Sequence, residues 1–301
     1  MTQKLFEGVM VPLFLPLDSE EKIIQSDLER YVRHHLDCGV HAFLVPSGTG
    51  EFYALTFEQR TRAVEIAAKV VSGTVPVASI TAACGLRDTL ALSEAARNAG
   101  ADAIMVTPPY YWPVDQETLK RFFCAIADAD ILPVWLYHHP PTTKLCINPE
   151  TVVELAEHPN IIGIKASADV DILYFHRLVR ALRGNADFRL LMGEDINELS
   201  GLILGGHGMV STVANIMPRE FVALWRAIKS ADFERARRLQ DRIMDVYSPL
   251  LFRYPNWQGT GKLILKKQGL FSSIICAEPC PVLTDDQQRE VESIGRRLHL
   301  F

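Results

Sequence analysis

The sequence predicts an α/β chain folded as a (β/α)8 TIM barrel with a C-terminal helical extension. Three observations lead there: short, near-continuously apolar runs alternate with longer amphipathic ones, eight such apolar runs can be counted, and no dinucleotide-binding glycine fingerprint follows the first. Alternation of this kind is the pattern of parallel strands joined by crossover helices, and strands apolar throughout suit a sheet covered on both faces. A doubly wound open sheet would share the alternation, but eight units without that fingerprint favour closure.

The strand candidates are residues 9–17, 41–46, 75–80, 101–107, 131–137, 161–166, 188–193 and 208–212. Between them, residues 57–71, 86–98, 116–127 and 149–156 carry apolar side chains at three- and four-residue spacing, the mark of a helix with one buried stripe. After about residue 217 the strands stop. Residues 219–231, 233–246, 257–267 and 285–298 then read as helices, one closing the barrel and the others adding an extension. The expected division is a barrel over 1–230 and the extension over 231–301, with no linker-like stretch between them.

Composition narrows the function. The 301 residues are 48% hydrophobic and 22% charged with a net charge of -5, ample for a buried core and without a basic surface for nucleic acid. No apolar run approaches the ~20 residues that span a bilayer, and the opening MTQKLFEGVM lacks the apolar segment of a signal peptide, so a cytoplasmic location is expected. Small-molecule partners are favoured. The six cysteines are scattered, and the one close pair, in CAEPC at 276–280, matches neither redox nor zinc-ribbon spacing.

In such a barrel, polar residues at the C-terminal ends of strands are the functional candidates. Lys165 is the sharpest, because IIGIK sets an ammonium directly after a strand that should be wholly buried. Desolvation there disfavours the charged form and frees an amine to attack a carbonyl; the alternative is a lysine paired with a carboxylate at the barrel mouth. Tyr137 ends the neighbouring strand, where its phenol can relay protons, or can simply reach a backbone carbonyl from the core. Gly48, Thr49 and Gly50 offer exposed backbone N–H groups and a hydroxyl, a cradle suited to a carboxylate. The seventh strand opens into Gly193, Glu194 and Asp195. His138 and His139 suggest a metal, but consecutive strand residues point to opposite faces and no third ligand of fitting spacing stands out. The glycines of GGHGMVS at 205–211 precede the eighth strand and are explained by packing and turns.

At these residues the sequence resembles the dihydrodipicolinate synthase and N-acetylneuraminate lyase family of Schiff-base-forming barrels, which includes keto-deoxy-sugar-acid aldolases and dehydratases. The resemblance spans nearly the whole chain and rests on SGTGEF at 47–52, YHHP at 137–140, IGIK at 162–165 and GGHGMVSTVAN at 205–215, in matching order and spacing. It implies that Lys165 forms the Schiff base, that Tyr137 relays protons, and that Gly48 and Thr49 bind the 2-oxo acid carboxylate. It also implies that Val210 offers its backbone carbonyl near the substrate. Tyr111, in PPYYWP, matches a tyrosine that enters a neighbouring subunit's site, which implies a homo-oligomer, a dimer or tetramer.

Departures from the family's patterns bear on the substrate. Gly48 replaces the first of two loop threonines of the synthases, and Thr142 falls where they carry an arginine for a semialdehyde carboxylate. Ile196 stands where sialic acid lyases have a glutamate, while Asp195 and Ser167 are kept and suit a hydroxylated tail. GTGEF looks like the loop of keto-deoxy-glucarate dehydratases, although Ala166-Ser167-Ala168 lacks their pattern after the lysine. The leading expectation is therefore a lyase, an aldolase or dehydratase acting on a hydroxylated 2-oxo acid such as a keto-deoxy sugar acid, without metal or organic cofactor. The alternatives are condensation of pyruvate with an aldehyde and, from another class, a silent ligand-binding barrel. Lys165, Tyr137 and Thr49 occurring together argue against silence, since a binding module has no need of a buried amine.

Overall fold

Runs of Val, Ile, Leu and Met that are buried on both sides need neighbouring strands on each edge, and a sheet closed on itself supplies them to every strand without leaving an end. In the computed structural model, which describes residues 6–167 and 171–301, the chain takes that solution. Strands β1 (Gly8–Pro12), β2 (Ala42–Leu44), β3 (Val77–Ile80), β4 (Ala103–Val106), β5 (Val134–His138), β6 (Ile161–Ala166), β7 (Arg189–Met192) and β8 (Gly208–Val210) pair in sequence order, all parallel, and β8 closes on β1. Ala168, named above among the residues after the lysine, lies outside the described residues.

The first strand is shorter than the 9–17 expected. The ladder ends at Pro12, opposite Leu44, with a last hydrogen bond from Leu13 N to Leu44 O at 3.1 Å, and Leu17 bridges instead to Ile23 and to Ile275 of the extension.

Helices α1 (Gln25–Asp37), α2 (Phe57–Val71), α3 (Leu86–Asn98), α4 (Gln116–Asp128), α5 (Pro140–Thr143), α6 (Pro149–Leu155), α7 (Ile172–Leu182), α8 (Glu198–Leu204) and α9 (Pro218–Lys229) fill the crossovers. Helices α10 (Phe233–Val246), α11 (Trp257–Lys267) and α12 (Asp285–Arg297) follow. Short polar side chains set several of the starts: Thr56 caps α2 in a reciprocal box with Gln59, and Asn256 caps α11 through the Gly259 N–H at 2.6 Å.

Three apolar groups result. Met10, Leu44, Ile80, Met105, Trp135, Tyr137, Leu191 and Val210 fill the barrel. A second group joins β4–β7 to α4, α6 and α7. A third joins β1 and α1 to α9 and to the extension through Ile243, Val246, Leu263 and Ile264, so barrel and extension share one continuous core.

Candidate active site

Side chains alternate in and out along a strand, and that period decides what β6 sends into the barrel. At Gly163 any Cβ would collide with the Trp135 ring and the Arg189 carbonyl, so glycine there lets the indole fill the interior. Two residues on, the same face carries Lys165, 7% exposed and in register with Tyr137 on β5 and Leu191 on β7. Its Nζ stands 4.1 Å from the Tyr137 ring centroid, a cation–π distance. On the other side its stem crosses Gly193, where a Cβ would come within 2.8 Å of Lys165 Cε and overlap Ser167 Oγ.

The loop after β2 faces this pair. Ser47 Oγ donates to Leu13 O at 3.1 Å and accepts the Gly50 N–H at 3.0 Å, which fixes a tight turn. Gly48 sits beside the phenol: a Cβ on it would lie 3.9 Å from the Tyr137 hydroxyl. Thr49 Oγ1 shares a hydrogen bond of 3.2 Å with Thr212 Oγ1, beyond the end of β8. Among the described residues, the N–H groups of Gly48 and Thr49 have no protein acceptor. Two free donors beside a hydroxyl pair make the place where a carboxylate can be received. Val210, at the end of β8, is 2% exposed and belongs to the same interior group as Tyr137.

Other candidates also make hydrogen bonds within the protein. Ser167 Oγ donates to Gly193 O at 3.1 Å. Asp195 is buried, with Oδ1 accepting from the Ser211 hydroxyl and from the Val213 N–H at 3.1 Å, so its carboxylate braces the turn after β8. Burial raises Asp195 above the usual carboxylate range, opposed by those hydrogen bonds and by the charge of Lys165. Tyr111 is not brought to this site within one chain: it is 93% exposed, at φ 86, beside Trp112, which is also exposed.

His138 and His139 diverge as strand alternation requires. His138 turns outward, stacks on Tyr174 with centroids 4.0 Å apart, and accepts the Ile147 N–H at 3.2 Å. His139 turns inward, stacks on Tyr137 at 5.7 Å, and has Thr142 Oγ1 2.7 Å from its Nδ1. Burial first, then the charge of Lys165 and neighbouring His138, pushes His139 down to about 4, so its imidazole is neutral near pH 7. Among the described residues no three potential ligands converge on a metal position.

Sequence reasoning missed two features. Thr212 sits at the tail of a strand in the sequence, where nothing signals that its hydroxyl meets that of Thr49. Glu198, on the first turn of α8, is completely buried with neither carboxyl oxygen hydrogen-bonded. Burial, then the charges of Asp195 and Glu194, raise it well above the ordinary carboxylate range, with Lys165 opposing. An acidic residue opening a short helix gives no sequence signal of burial.

The assembled groups are a buried amine, a phenol against it, a hydroxyl pair and two free N–H donors. This arrangement suits imine chemistry on a carbonyl acid. The close approach at Gly193 makes a test: Gly193→Ala is expected to fold, because the added methyl meets side chains rather than backbone, yet to displace Lys165. Trapping of a 2-oxo acid by borohydride should then fall by at least about tenfold, the scale of an ångström-level misplacement. Wild-type trapping rates in the folded variant would contradict this account of the site.

The profile of the dihydrodipicolinate synthetase family matches residues 5–297. The 4-hydroxy-tetrahydrodipicolinate synthase of Neisseria meningitidis serogroup C is 33% identical over 246 residues, 82% of this chain and 84% of that protein. The like-named protein of Thermodesulfovibrio yellowstonii is 36% identical over 240 residues, 79% of this chain and 81% of that protein. Among solved structures, YagE, a prophage protein of E. coli in complex with pyruvate, superposes with a TM-score of 0.93 at 28% identity, covering 99% of this chain and 100% of that one. The dihydrodipicolinate synthase of Bacteroides thetaiotaomicron gives 0.92 at 28% identity, over 99% and 100% of the two chains. No helix among the described residues is long and apolar enough to cross a membrane. The chain belongs to the dihydrodipicolinate synthetase family, whose members are lyases working through a lysine Schiff base.

Proposed function

We propose that Lys165 forms a Schiff base with a 2-oxo acid, pyruvate or a keto-deoxy sugar acid, and that the protein makes or breaks a bond adjacent to the resulting imine. The observation that carries this reading is Lys165 Nζ held 4.1 Å from the Tyr137 ring, with Gly48 of the loop after β2 beside the Tyr137 hydroxyl and the Gly48 and Thr49 N–H groups open. The amine adds to the ketone and water leaves. The protonated imine then accepts the electron pair released when the neighbouring carbon loses a proton or a carbon substituent. Tyr137 carries protons to and from that centre, while Thr49 and the two N–H groups hold the carboxylate.

Two readings of the reacting partner rest on different observations. The curated relatives are named synthases, which supports condensation of pyruvate with an aldehyde. The turn after β5 supports an uncharged, hydroxylated partner: Thr142, hydrogen-bonded to neutral His139, stands where a second carboxylate would need a guanidinium. Aldol cleavage and condensation share the same enamine, so one site can serve both directions; dehydration of a hydroxylated 2-oxo acid uses the same electron sink.

Tyr111 enters this reading as a residue supplied to a neighbour. Exposed beside Trp112 and held at positive φ, it projects an aromatic pair that the chain itself does not cover. A homo-oligomer, dimer or tetramer, would place the phenol over a second copy's site. Sedimentation at assay concentration should show an assembly; a fully active monomer would remove Tyr111 from the machinery.

Pyruvate with borohydride should leave one reduced adduct on Lys165 by peptide mapping, and Lys165→Ala should remain folded with no adduct and no turnover. If the adduct lies elsewhere or fails to form with any 2-oxo acid of a panel, the mechanism is wrong. Substrate choice is read by comparing kcat/KM for two reactions of the same enzyme. A charge-assisted hydrogen bond is worth roughly 1.5–3 kcal/mol, so lacking the arginine should weaken aspartate-semialdehyde recognition by about one to two orders of magnitude. Cleavage or dehydration of a hydroxylated 2-oxo acid, or condensation with an uncharged aldehyde, should therefore outpace it. Efficient condensation with the semialdehyde would promote the synthase reading.

A further inference from the structure

The thiols of CAEPC, unremarkable by spacing, converge in the fold. Cys276 Sγ and Cys280 Sγ both donate to Asn256 Oδ1, at 3.7 and 3.4 Å, and the two thiols also contact each other. Cys276 is buried while Cys280 is half-exposed, and both line an open cavity of about 150 Å³ with Glu278, Pro281 and Val282, large enough to admit a small reagent. Ala277 N, next to Cys276, donates to Glu51 Oε2 at 2.6 Å, and Ile275 O accepts from Lys262 Nζ at 2.6 Å. Lys262 in turn pairs with Glu51 at 2.6 Å. Glu51 is two residues from Thr49 and three from Gly48.

We propose that Cys276 and Cys280 are a thiol-modification site that closes to an intramolecular disulfide on exchange with a low-molecular-weight disulfide, and that closure loosens the anchor of the loop at 48–52. The Cys280 thiolate attacks one sulfur of the small disulfide, forming a mixed disulfide and releasing one thiol. The Cys276 thiolate then attacks Cys280 Sγ and displaces the second. The protein dithiol loses two electrons, the reagent disulfide gains them, and the two protons go to the departing thiolates. Attack starts at Cys280 because it is the more exposed and because burial pushes Cys276 further up than Cys280. Drawing the sulfurs to a bonded separation of about 2.05 Å moves Cys276, and with it the Ala277 N–H, relative to Glu51. It also removes both S–H donors from Asn256, the cap of α11.

The test uses the full chain in a Cys84→Ser, Cys146→Ser background, which removes the two exposed thiols. Incubation with oxidised glutathione should give a Cys276–Cys280 linkage in non-reducing peptide maps. Backbone hydrogen exchange at Glu51 and Phe52, whose N–H groups donate to Gly48 O and Ser47 O, should then quicken roughly three- to tenfold, the factor one net hydrogen bond carries. A dithiol reductant should reverse both. Adding Cys276→Ser should trap a lasting glutathione adduct on Cys280 with exchange unchanged. A persistent Cys280 adduct without linkage in the parent overturns the site, and linkage with unaltered exchange at 51 and 52 overturns its coupling to the loop. Neither readout depends on which reaction the enzyme catalyses.

Discussion

The ion pair between Glu51 and Lys262 is the constraint on which the site's geometry hangs. Both side chains are essentially without solvent, 2% and 0% exposed, and each would cost several kcal/mol to bury unpaired. They come from remote parts of the chain, the loop after β2 and helix α11, and their 2.6 Å contact is supplemented on both sides by backbone groups of 275–277. Glu51 is itself held at φ 64, a conformation an L residue adopts only when its surroundings determine it. The extension therefore acts on the site without touching the Lys165 centre: it supplies the counter-ion that lets the loop at 47–52 stay closed over the barrel mouth.

Inside the barrel the same economy of space recurs at two glycines. Gly163 admits the Trp135 ring and Gly193 admits the stem of Lys165, so the lysine rises through a column packed on both sides. Its charge then orders its neighbours. It lies over the negative face of the Tyr137 ring, helps to keep His139 neutral, and opposes the upward pull of burial on Asp195 and Glu198 behind β7. Burial is the larger influence on all three groups, and Lys165 adds to it at His139 and opposes it at Asp195 and Glu198.

Fold and site were unequally legible. Strand and helix periods depend on neighbours in sequence, so the helices at 57–71, 86–98, 233–246 and 257–267 could be read with their observed bounds, and the eight apolar runs each contain most of a strand but, the sixth apart, overrun it, the first by five residues. Lys165 stood out for a related reason: an ammonium at the end of an apolar strand is a local anomaly, and in a barrel the end of a strand has one possible address. The polar loop at 47–52 and Tyr137 were visible on the same ground.

What needed three dimensions is everything decided by which remote groups meet. Ser167 and Asp195 read as substrate ligands in a string of residues, and only the folded turns show that Ser167 Oγ donates to Gly193 O while Asp195 Oδ1 accepts from Ser211 and Val213. Glu198 reads as an ordinary acid at a helix start until packing removes its water. Lys262 belongs to a helix whose pattern says nothing of a partner more than two hundred positions earlier, and the spacing of Cys276 and Cys280 conceals that both sulfurs end on Asn256. Local hydrophobic period is written along the chain, whereas desolvation and pairing of charges are properties of the packed interior, and only the closed barrel with its extension brings those groups together.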